Sequence, residues 1–367
     1  ILLKQADIIK KHAVDGYLYG RVGEDHFVVI ADEATFNEEY LYECRETLQN
    51  VLSDSVYNVR VCFGIYRTDN MNESLSFMCD KASFAVASIK DDTHSFIAYY
   101  DDTMLEAAIK YKTIVDEFDD AIKAGEFKMY LQPQISAKTR RLTGAEALVR
   151  RIKPDGTIIS PIDFIPVYEK SGLISRLDRY IWEQAAAKLG EWKKAGINMS
   201  ISVNISPKDF YYIDIFNTFA GLIKKYDIEP SNLKIEITET TIMSDVPNLM
   251  GELEELRKAG FTLEMDDFGS GYSSLNTLKD INVDVLKVDM GFIKETKNVK
   301  KSRIILASVI KMAKELNLLI ITEGVETEEQ VDNLTKLGCD VFQGYYFSKA
   351  IDVNEFEKRY LYRKKAG

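Results

Sequence analysis

The sequence predicts an α/β protein whose larger part is a (β/α)8 barrel. From about residue 127, short β-rich runs alternate with amphipathic helical stretches, which is the pattern of a mostly parallel sheet covered by helices. Eight such runs lie within roughly 240 residues, and this number fits a closed eight-stranded barrel. With 367 residues, of which 46% are hydrophobic, the chain is long enough for two domains with well-formed cores.

The strand candidates are short apolar runs with turn residues on either side. In chain order they read FKMYLQPQI, GAEALVRRI, MSISVNIS, LKIEITET, FTLEMDDF, VDVLKVD, LLIITEGV and VFQGYYF. Helix candidates such as LDRYIWEQAAAKLGEWKKAG lie between them, and several end at Gly, as helix C-termini prefer. The first connection, SAKTRRLT, is too short for a parallel crossover. We therefore predict that the first strand runs antiparallel to the second.

Upstream of the barrel the pattern changes. Residues 1–100 predict a smaller α/β unit with a helix, the strands YLYGRV and HFVVIAD around a GED turn, a second helix, the strand VYNVRVCFGIY and another helix. Residues 101–126 have helical spacing and an acidic polar side, so we expect a helix that joins the two domains. The predicted limits are therefore 1–100, 101–126 and 127–367.

Composition excludes several classes of protein. A net charge of −11 argues against binding to a nucleic acid duplex, because such proteins carry a basic face. The four cysteines form no Cys-x-x-Cys pair, which indicates reduced thiols in the cytoplasm and no zinc site. No apolar run approaches the roughly 18 residues of a membrane span. The chain does not begin with Met, so we expect a longer protein that can carry further N-terminal sensory or membrane segments.

The distribution of histidine restricts the chemistry of the barrel. The three histidines are His12, His26 and His94, and none lies between residues 127 and 367. This excludes a histidine base, a Ser-His-Asp triad and a histidine-rich zinc site from that region. Carboxylates, amides and lysines remain for any reaction there.

Each predicted barrel strand carries a polar or charged side chain among apolar neighbours. These residues are Gln132, Glu146, Asn204, Glu236, Asp266, Lys287, Glu323 and Gln343. A single carboxylate of this kind is usually a solvated edge residue or part of a structural ion pair. Because barrel strands converge on one mouth, where active sites of this architecture lie, we expect the eight to meet there. Such carboxylates need a hard cation among them, and oxygen ligands suit Mg2+ or Mn2+.

The consecutive residues Asp266 and Asp267 follow an apolar run and precede the glycine-rich loop FGSG. We expect them to point in different directions, so that one bridges two metal ions and the other holds the second ion. Two ions about 3.5–4 Å apart suit in-line displacement at phosphorus. The glycines let the loop bend close to the site. The alternative is an acidic turn that merely ends a strand.

Three further residues are candidates for catalysis or substrate binding. Lys287 is placed to orient a nucleophile or to neutralise charge at phosphorus, although a structural pair with Asp is the alternative. Glu323 is the carboxylate best suited to act as a base towards water. Arg150 lies four residues after Glu146 on the same strand face, and its guanidinium suits a phosphate oxygen. A surface arginine is the alternative for Arg150 and for the adjacent Arg151.

Nine stretches of the sequence resemble, in order, the motifs of the EAL domain, the phosphodiesterase that opens the bacterial messenger cyclic di-GMP. They are YLQPQI, EALVR, FIPVYEKSGLI, SVNIS, IEITET, DDFGSGYSSL, VDVLKVD, ITEGVETEEQ and GCDVFQGYYFSKA. The resemblance extends from Phe127 almost to the end of the chain. It implies a modified TIM barrel with an antiparallel first strand, hydrolysis of one phosphodiester to give linear pGpG, two Mg2+ or Mn2+ ions, and a homodimer through the barrel.

The resemblance also assigns metal-ligand and catalytic roles to residues of this chain. The first metal ion is matched by Glu146, Asn204, Glu236 and Asp266, and the second by Asp266 and Asp267. Lys287 and Glu323 match the residues that position and deprotonate the attacking water, and Gln343 matches an amide near that site.

It assigns further roles in substrate contact and regulation. Arg150, Glu326 and Gln132 match substrate contacts. Glu239 matches a glutamate that anchors the loop from Phe268 to Ser274, through which dimerisation is coupled to activity. Two departures are mild: Ser270 stands where Thr is usual, and Arg151 where an aromatic residue is common.

Residues 1–100 resemble, more weakly, a GGDEF domain, the diguanylate cyclase fold. RVGEDHF, residues 21–27, occupies the place of the signature but has Glu24 instead of the second Gly and His26 instead of Glu. A side chain at position 24 obstructs a nucleotide phosphate, and histidine replaces a carboxylate poorly on Mg2+. The strand and helix that would supply another metal-binding Asp are missing before Ile1. We predict a truncated, degenerate domain without cyclase activity and with a regulatory or structural role.

The sequence therefore predicts a cyclic di-GMP phosphodiesterase. One alternative is a catalytically silent receptor that binds cyclic di-GMP without cutting it, although such receptors usually lose metal ligands or the base. Another is an unrelated TIM-barrel lyase or isomerase with one Mg2+, which does not account for the paired aspartates. Turnover separates the first alternative from the prediction, and metal stoichiometry separates the second.

Overall fold

A computed structural model of the chain describes residues 2–13, 17–52, 60–68, 70, 72–90, 92, 94–243, 248–269, 278–279, 281–289 and 299–362. The chain divides into two compact units, Ile1–Thr113 and Ile114–Gly367. Within the described ranges, no helix combines the length and the apolar character that crossing a bilayer requires.

The described part of the first unit, up to residue 100, contains short strands and helices. In chain order these are α1 (Leu2–His12), β1 (Leu18–Gly23), β2 (His26–Ile30), α2 (Glu39–Leu52), β3 (Phe63–Ile65), α3 (Leu75–Ser88) and β4 (Ile97–Tyr99). Strands β1 and β2 form an antiparallel hairpin, and β3 pairs in parallel with β4. Of the strand predicted over residues 56–66, the described part is extended only at β3, and residues 56–59 lie outside the described ranges.

The segment 101–126, predicted as one helix, contains two. Helix α4 (Asp102–Asp116) and helix α5 (Phe118–Lys123) are separated at Glu117. Arg151 contacts this region: its Nη2 lies 2.7 Å from a carboxylate oxygen of Glu117 and its Nε lies 2.9 Å from one of Glu126. Only 3% of the Arg151 side chain is exposed, so this residue is not the surface arginine that the sequence left open.

The barrel strands follow in the second unit, together with two short additional strands. They are β5 (Phe127–Ser136), β6 (Leu142–Ile152), β7 (Ile158–Ile159), β8 (Ile201–Ile205), β9 (Leu233–Thr238), β10 (Leu263–Asp266), β11 (Val285–Asp289), β12 (Leu319–Glu323), β13 (Val341–Phe342) and β14 (Ile351–Asp352). Eight of them close a ring in the order β5, β6, β8, β9, β10, β11, β12, β13 and back to β5. Strand β5 is antiparallel to both of its ring neighbours, and the remaining ring pairs are parallel. The predicted barrel with an antiparallel first strand is confirmed.

Helices cover the outside of the ring. Their described members are α6 (Pro161–Ser171), α7 (Ile174–Lys194), α8 (Asp209–Tyr212), α9 (Ile215–Tyr226), α10 (Glu239–Met243), α11 (Leu249–Lys258), α12 (Val299–Glu315), α13 (Glu328–Leu337) and α14 (Val353–Phe356). The ends of helix α13 are determined by local sequence. Thr327 and Gln330 form a reciprocal capping box at its start, and Gly338 ends it in the left-handed conformation. The buried face of α7, which includes Leu177 and Trp182, packs into the main core between helices and strands.

The interior of the barrel has an apolar layer with a polar layer above it. Val285, Ile321 and Val341 form a separate small cluster of buried residues. Side chains alternate between the two faces of a strand, so the residue two positions further along points to the same side. On β11 and β12 these residues are Lys287 and Glu323, and Gln343 follows directly after β13. The apolar layer therefore places the predicted polar residues towards the carboxyl ends of the parallel strands.

Candidate active site

Lys287 lies at the centre of carboxylates that come from four other strands. Its side chain is completely buried, and its Nζ lies 2.7 Å from Oε1 of Glu323 and 2.8 Å from Oε2 of Glu236. The same nitrogen lies 3.2 Å from Oδ2 of Asp266 and 3.5 Å from Oε2 of Glu146. We call Lys287 and these four carboxylates the acidic cluster. The structure thus brings together five of the residues that the sequence predicted for the site.

The acidic cluster contains four carboxyl groups but only one ammonium group. Burial, together with the negative charge of Glu146, raises the pKa of Glu236 well above its ordinary value. Burial raises the pKa of Glu323 to about 8, even though Lys287 opposes the shift. The pKa of Lys287 is raised well above its ordinary value, because the surrounding carboxylates outweigh the effect of burial. The cluster therefore has a deficit of positive charge.

Amide side chains hold both oxygens of Glu146. Asn204 donates from Nδ2 to Oε1 of Glu146 over 3.3 Å. Gln343 donates from Nε2 to the other carboxylate oxygen of Glu146 and, over 3.3 Å, to Oε1 of Gln132. Gln132 in turn donates to the backbone oxygen of Ser348 over 3.3 Å. Asn204, Gln132 and Gln343 thus lie next to the acidic cluster, as the sequence predicted.

Asp266 and Asp267 have different environments. Asp266 ends β10 and is buried in the acidic cluster, whereas Asp267 is exposed and has a left-handed backbone with φ of 56°. This conformation is uncommon for residues other than glycine and concentrates at functional sites. The backbone N–H of Asp267 donates to Oδ1 of Asp266 over 2.8 Å. Although its side chain is exposed, partial desolvation by the surrounding protein and the negative charge of Asp266 raise the pKa of Asp267.

Glu239 contacts the loop that follows the paired aspartates. It is the first residue of α10 and is buried, and its Oε2 accepts a hydrogen bond of 3.4 Å from the backbone N–H of Gly269. The contact joins the end of β9 to the start of the loop predicted to be anchored there. Residues 270–274 of that loop lie outside the described ranges.

Arg150 and Glu326 lie above the acidic cluster rather than within it. Arg150 is half-buried on β6, donates to the backbone oxygen of Val149 over 2.7 Å, and has its guanidinium carbon 5.9 Å from the ring centroid of Tyr130. Glu326 is exposed in the loop between β12 and α13.

The donor set of the acidic cluster fits a hard divalent cation. All its acidic members supply oxygen, and Oε1 of Glu236 is buried without a hydrogen-bond partner among the described residues. Lys287 Nζ occupies the space between the carboxylates in this conformation. In the described part of the chain, no group of three or more His, Cys, Asp or Glu residues is already arranged as a metal site. Three features therefore suit the acidic cluster to a divalent cation: its oxygen donors, its deficit of positive charge and the unpaired oxygen of Glu236.

Two buried features of the barrel interior were missed by the sequence reasoning. Gln134 donates from Nε2 to Oε1 of Gln343 over 3.2 Å. Glu264 lies 2.8 Å from Nζ of Lys234 and accepts a hydrogen bond of 2.9 Å from Ser202. Their available signal was the two-residue strand period, since Gln134 follows Gln132 and Glu264 precedes Asp266 on the same faces.

Comparison with known proteins shows which family these features belong to. The EAL domain family matches residues 115–350. The chain is 31% identical over 350 residues to the signaling protein YkoW of Bacillus subtilis, covering 94% of this chain and 44% of YkoW. It is 28% identical over 362 residues to the bifunctional diguanylate cyclase/cyclic di-GMP phosphodiesterase MucR of Pseudomonas aeruginosa, covering 97% of this chain and 53% of MucR. The chain thus spans about half the length of these curated relatives.

A solved structure gives the same result for the barrel. The structure described as a PaMucR phosphodiesterase in complex with c-di-GMP is 32% identical, with a TM-score of 0.63. It covers 66% of this chain and 99% of its own chain. Together with the family match and the barrel topology, this shows that the chain belongs to the EAL domain family.

Proposed function

We propose that this protein is a metal-dependent phosphodiesterase that hydrolyses cyclic di-GMP to linear pGpG. The observation that carries the proposal is the acidic cluster, in which Lys287 Nζ lies within 3.5 Å of carboxylate oxygens from four other strands. Relatives in the same family are named as cyclic di-GMP phosphodiesterases, and MucR is one of them.

The proposed metal ligands are residues of the acidic cluster and their neighbours that match the ligands of the EAL domain. Glu146, Asn204, Glu236, Asp266 and Asp267 would hold two Mg2+ or Mn2+ ions. When bound, such ions supply positive charge that lowers the pKa of water and stabilises negative charge at phosphorus. The deficit of positive charge in the cluster supports this assignment.

Each residue of the site then has a separate role in hydrolysis. The oxygen of a water molecule attacks phosphorus, and the bond from phosphorus to the 3′ oxygen of one ribose breaks. Glu323 accepts the proton of the attacking water, and the departing 3′ oxygen takes a proton from solvent. Lys287 keeps Glu323 and Glu236 in place and opposes the negative charge that develops at phosphorus. Gln343 holds the carboxylate of Glu146 through its amide.

The substrate would lie at the mouth of the barrel. Arg150 would pair with a phosphate of the cyclic dinucleotide, and Gln132 and Glu326 would contact the same ligand. The bond from the Gly269 backbone to Glu239 supports Glu239 as the anchor of the loop over residues 268–274. We further propose that this loop couples activity to a homodimer formed through the barrel.

We assign a regulatory role to the first unit, as a degenerate GGDEF domain without cyclase activity. Glu24, at the tip of the β1–β2 hairpin, has a φ of 40°, a conformation that favours glycine. A cavity of about 530 Å3 lies beside this hairpin and is lined by Glu24, His26, Cys79 and Asp80, among others. The acidic residues Glu24 and Asp80 in its lining would repel the phosphates of a nucleotide, which require positive charge. The free cysteines support a location in the cytoplasm.

The experiment that tests the proposal is a turnover assay on the full chain. Purified protein is incubated with cyclic di-GMP and Mg2+ or Mn2+, and products are separated by chromatography. We expect pGpG from the wild type and a loss of about 100-fold or more in kcat for Glu323→Gln, with binding retained. Absence of pGpG while an active phosphodiesterase control turns over contradicts the proposal. Calorimetric binding without turnover would instead identify a cyclic di-GMP receptor.

A further inference from the structure

A chain of three glutamine side chains crosses the barrel interior beside Glu146. Gln134 donates to Oε1 of Gln343 over 3.2 Å, and Gln343 donates to Glu146 and to Oε1 of Gln132. Gln132 completes the chain by donating to the backbone oxygen of Ser348. Gln134 and Gln343 are almost completely buried, with 1% and 3% of their surface exposed. Water therefore does not replace these hydrogen bonds.

The direction of every hydrogen bond in this chain is determined by its two ends. A carboxylate and a backbone carbonyl only accept hydrogen bonds, whereas an amide side chain donates from nitrogen and accepts at oxygen. Gln343 must therefore direct its nitrogen towards Glu146 and its oxygen towards Gln134. Gln134 must then direct its nitrogen towards Gln343. A rotation of Gln343 by half a turn would place its amide oxygen against the carboxylate of Glu146.

The strand opposite Gln134 makes room for its amide. In the register of β5 and β6, Gln134 is paired with Gly144. A Cβ atom at Gly144 would lie 2.9 Å from Oε1 of Gln134 and 2.7 Å from Oγ of Ser200. Any larger residue at position 144 would therefore displace the Gln134 side chain. This steric relationship is independent of the hydrogen-bond pattern and concerns the same amide.

We propose that Gln134 is a positioning residue: by donating to Oε1 of Gln343 it holds the Gln343 amide, whose orientation Glu146 sets, in place against Glu146. It acts through Gln343 and touches neither substrate nor reacting atoms. The expected consequence is that Glu146 keeps its oxygens directed for a divalent cation, since partners of this kind orient the groups that bind a metal. The inference rests on the proposed function only for the assignment of Glu146 as a metal ligand.

The test measures Mn2+ binding by calorimetry in the absence of substrate, so that it does not depend on turnover. The variants are Gln134→Met, Gln343→Met and the double variant, because Met keeps the length of Gln without its hydrogen bonds. We expect each single variant to weaken Mn2+ binding by about 10- to 100-fold. The double variant should bind no more weakly than Gln343→Met alone. Equal Mn2+ affinity of Gln134→Met and wild type, or losses that multiply in the double variant, would overturn the inference.

A matched control and a second variant separate positioning from general damage. Gln184 also bridges to the barrel, since it accepts from the Met129 backbone and donates to that of Phe127, so Gln184→Met should leave Mn2+ affinity unchanged. If Gln134→Met does not fold, Gln134→Leu removes the same hydrogen bond to Gln343, and Mn2+ affinity equal to that of the wild type in this variant overturns the inference. Turnover is measured in parallel. The two proposals can fail separately. If the wild-type protein makes no pGpG, but the Gln134 and Gln343 variants lose Mn2+ affinity and the double variant loses no more than Gln343→Met, the inference is supported and the proposed reaction is contradicted.

Discussion

Lys287 Nζ lies 2.7 Å from Oε1 of Glu323, and this pair joins the middle of β11 to the carboxyl end of β12. The ammonium group is at the same time the cation that opposes three further carboxylates. One residue therefore links the stability of the barrel interior to its chemistry.

Replacing Lys287 with Met should reduce both activity and stability. Removal of the ammonium leaves buried carboxylates uncompensated, which typically costs about 3–5 kcal/mol. Loss of its charge near phosphorus should lower kcat by about 100-fold or more. Thermal unfolding in EDTA and in Mn2+ checks the electrostatic cause, because bound Mn2+ should restore part of the lost stability.

Lys234→Met is the matched control for this substitution. It also removes a lysine from a buried glutamate of the barrel, since Lys234 Nζ lies 2.8 Å from Oε1 of Glu264. We expect it to lower stability with a much smaller loss of kcat. An equal loss of kcat in the two variants would contradict the specific role of Lys287.

The buried carboxyl group of Asp209 should make stability depend on pH. Burial raises the pKa of Asp209 from 3.8 to about 6, and Asp209 accepts a hydrogen bond of 2.8 Å from the Ser206 backbone. The folded state thus holds a proton that the unfolded state releases, so stability is greatest below about pH 4 and falls as pH rises to about 6. The carboxyl group of Asp178 forms a hydrogen bond with Asp209, and burial raises its pKa well above the ordinary value, so Asp178 contributes to the same loss.

Urea denaturation between pH 4 and 8 of wild type and Asp209→Asn measures this effect. The Asn variant cannot ionise, so its stability relative to wild type should increase over that pH range. Asp214→Asn serves as a control: hydrogen bonds from Asn217 lower the pKa of Asp214, so this group is ionised over most of the range and the difference from wild type should stay nearly constant. A constant difference between Asp209→Asn and wild type across the range would contradict the prediction.

Gly344 should not tolerate a side chain. It follows Gln343, and a Cβ atom there would lie 2.2 Å from the backbone oxygen of Val325 and 2.3 Å from its nitrogen. These backbones are joined by a hydrogen bond of 3.2 Å from the Val325 N–H to the Gln343 oxygen. Gly344→Ala should therefore lower the free energy of unfolding by about 3 kcal/mol.

Denaturant unfolding of Gly344→Ala, compared with Gly221→Ala, checks this prediction. Gly221 lies exposed in α9, and a Cβ atom there meets no heavy atom within 4 Å. Gly221→Ala should raise stability by up to about 1 kcal/mol, because Ala favours a helix more than Gly does. Equal midpoints for Gly344→Ala and wild type would show that the Val325 backbone can move aside.

Arg151 should contribute more to stability than an exposed arginine pair. Its buried guanidinium lies 2.7 Å from Glu117 and 2.9 Å from Glu126, so Arg151→Met leaves both carboxylates without this partner. We expect a loss of about 3 kcal/mol. Arg176→Met, which removes an exposed pair with Asp119, should cost no more than about 1 kcal/mol. Chemical denaturation of the two variants distinguishes these values, and similar losses would contradict the prediction.

Local patterns in the sequence were sufficient to predict the barrel and to identify most of the polar residues on its strands. The eight apolar runs and the helices between them can be recognised from residues that are neighbours in the sequence. The short link SAKTRRLT correctly predicted that the first strand is antiparallel to the second. Glu146, Glu236, Asp266, Lys287 and Glu323 were identified because each is a polar or charged side chain among the apolar neighbours of its own strand.

Only the tertiary structure decided how those residues meet. The position of Lys287 Nζ among four carboxylates depends on strand register and on the depth of each side chain, neither of which is a local property. The Gln134 amide, the Glu264–Lys234 pair and the burial of Arg151 likewise involve partners that are distant in sequence. The sequence by itself thus determined which strands form and which polar groups they carry. The burial of these polar groups and the distances between them control their hydrogen bonds and pKa values, and both are determined only by closure of the strand ring.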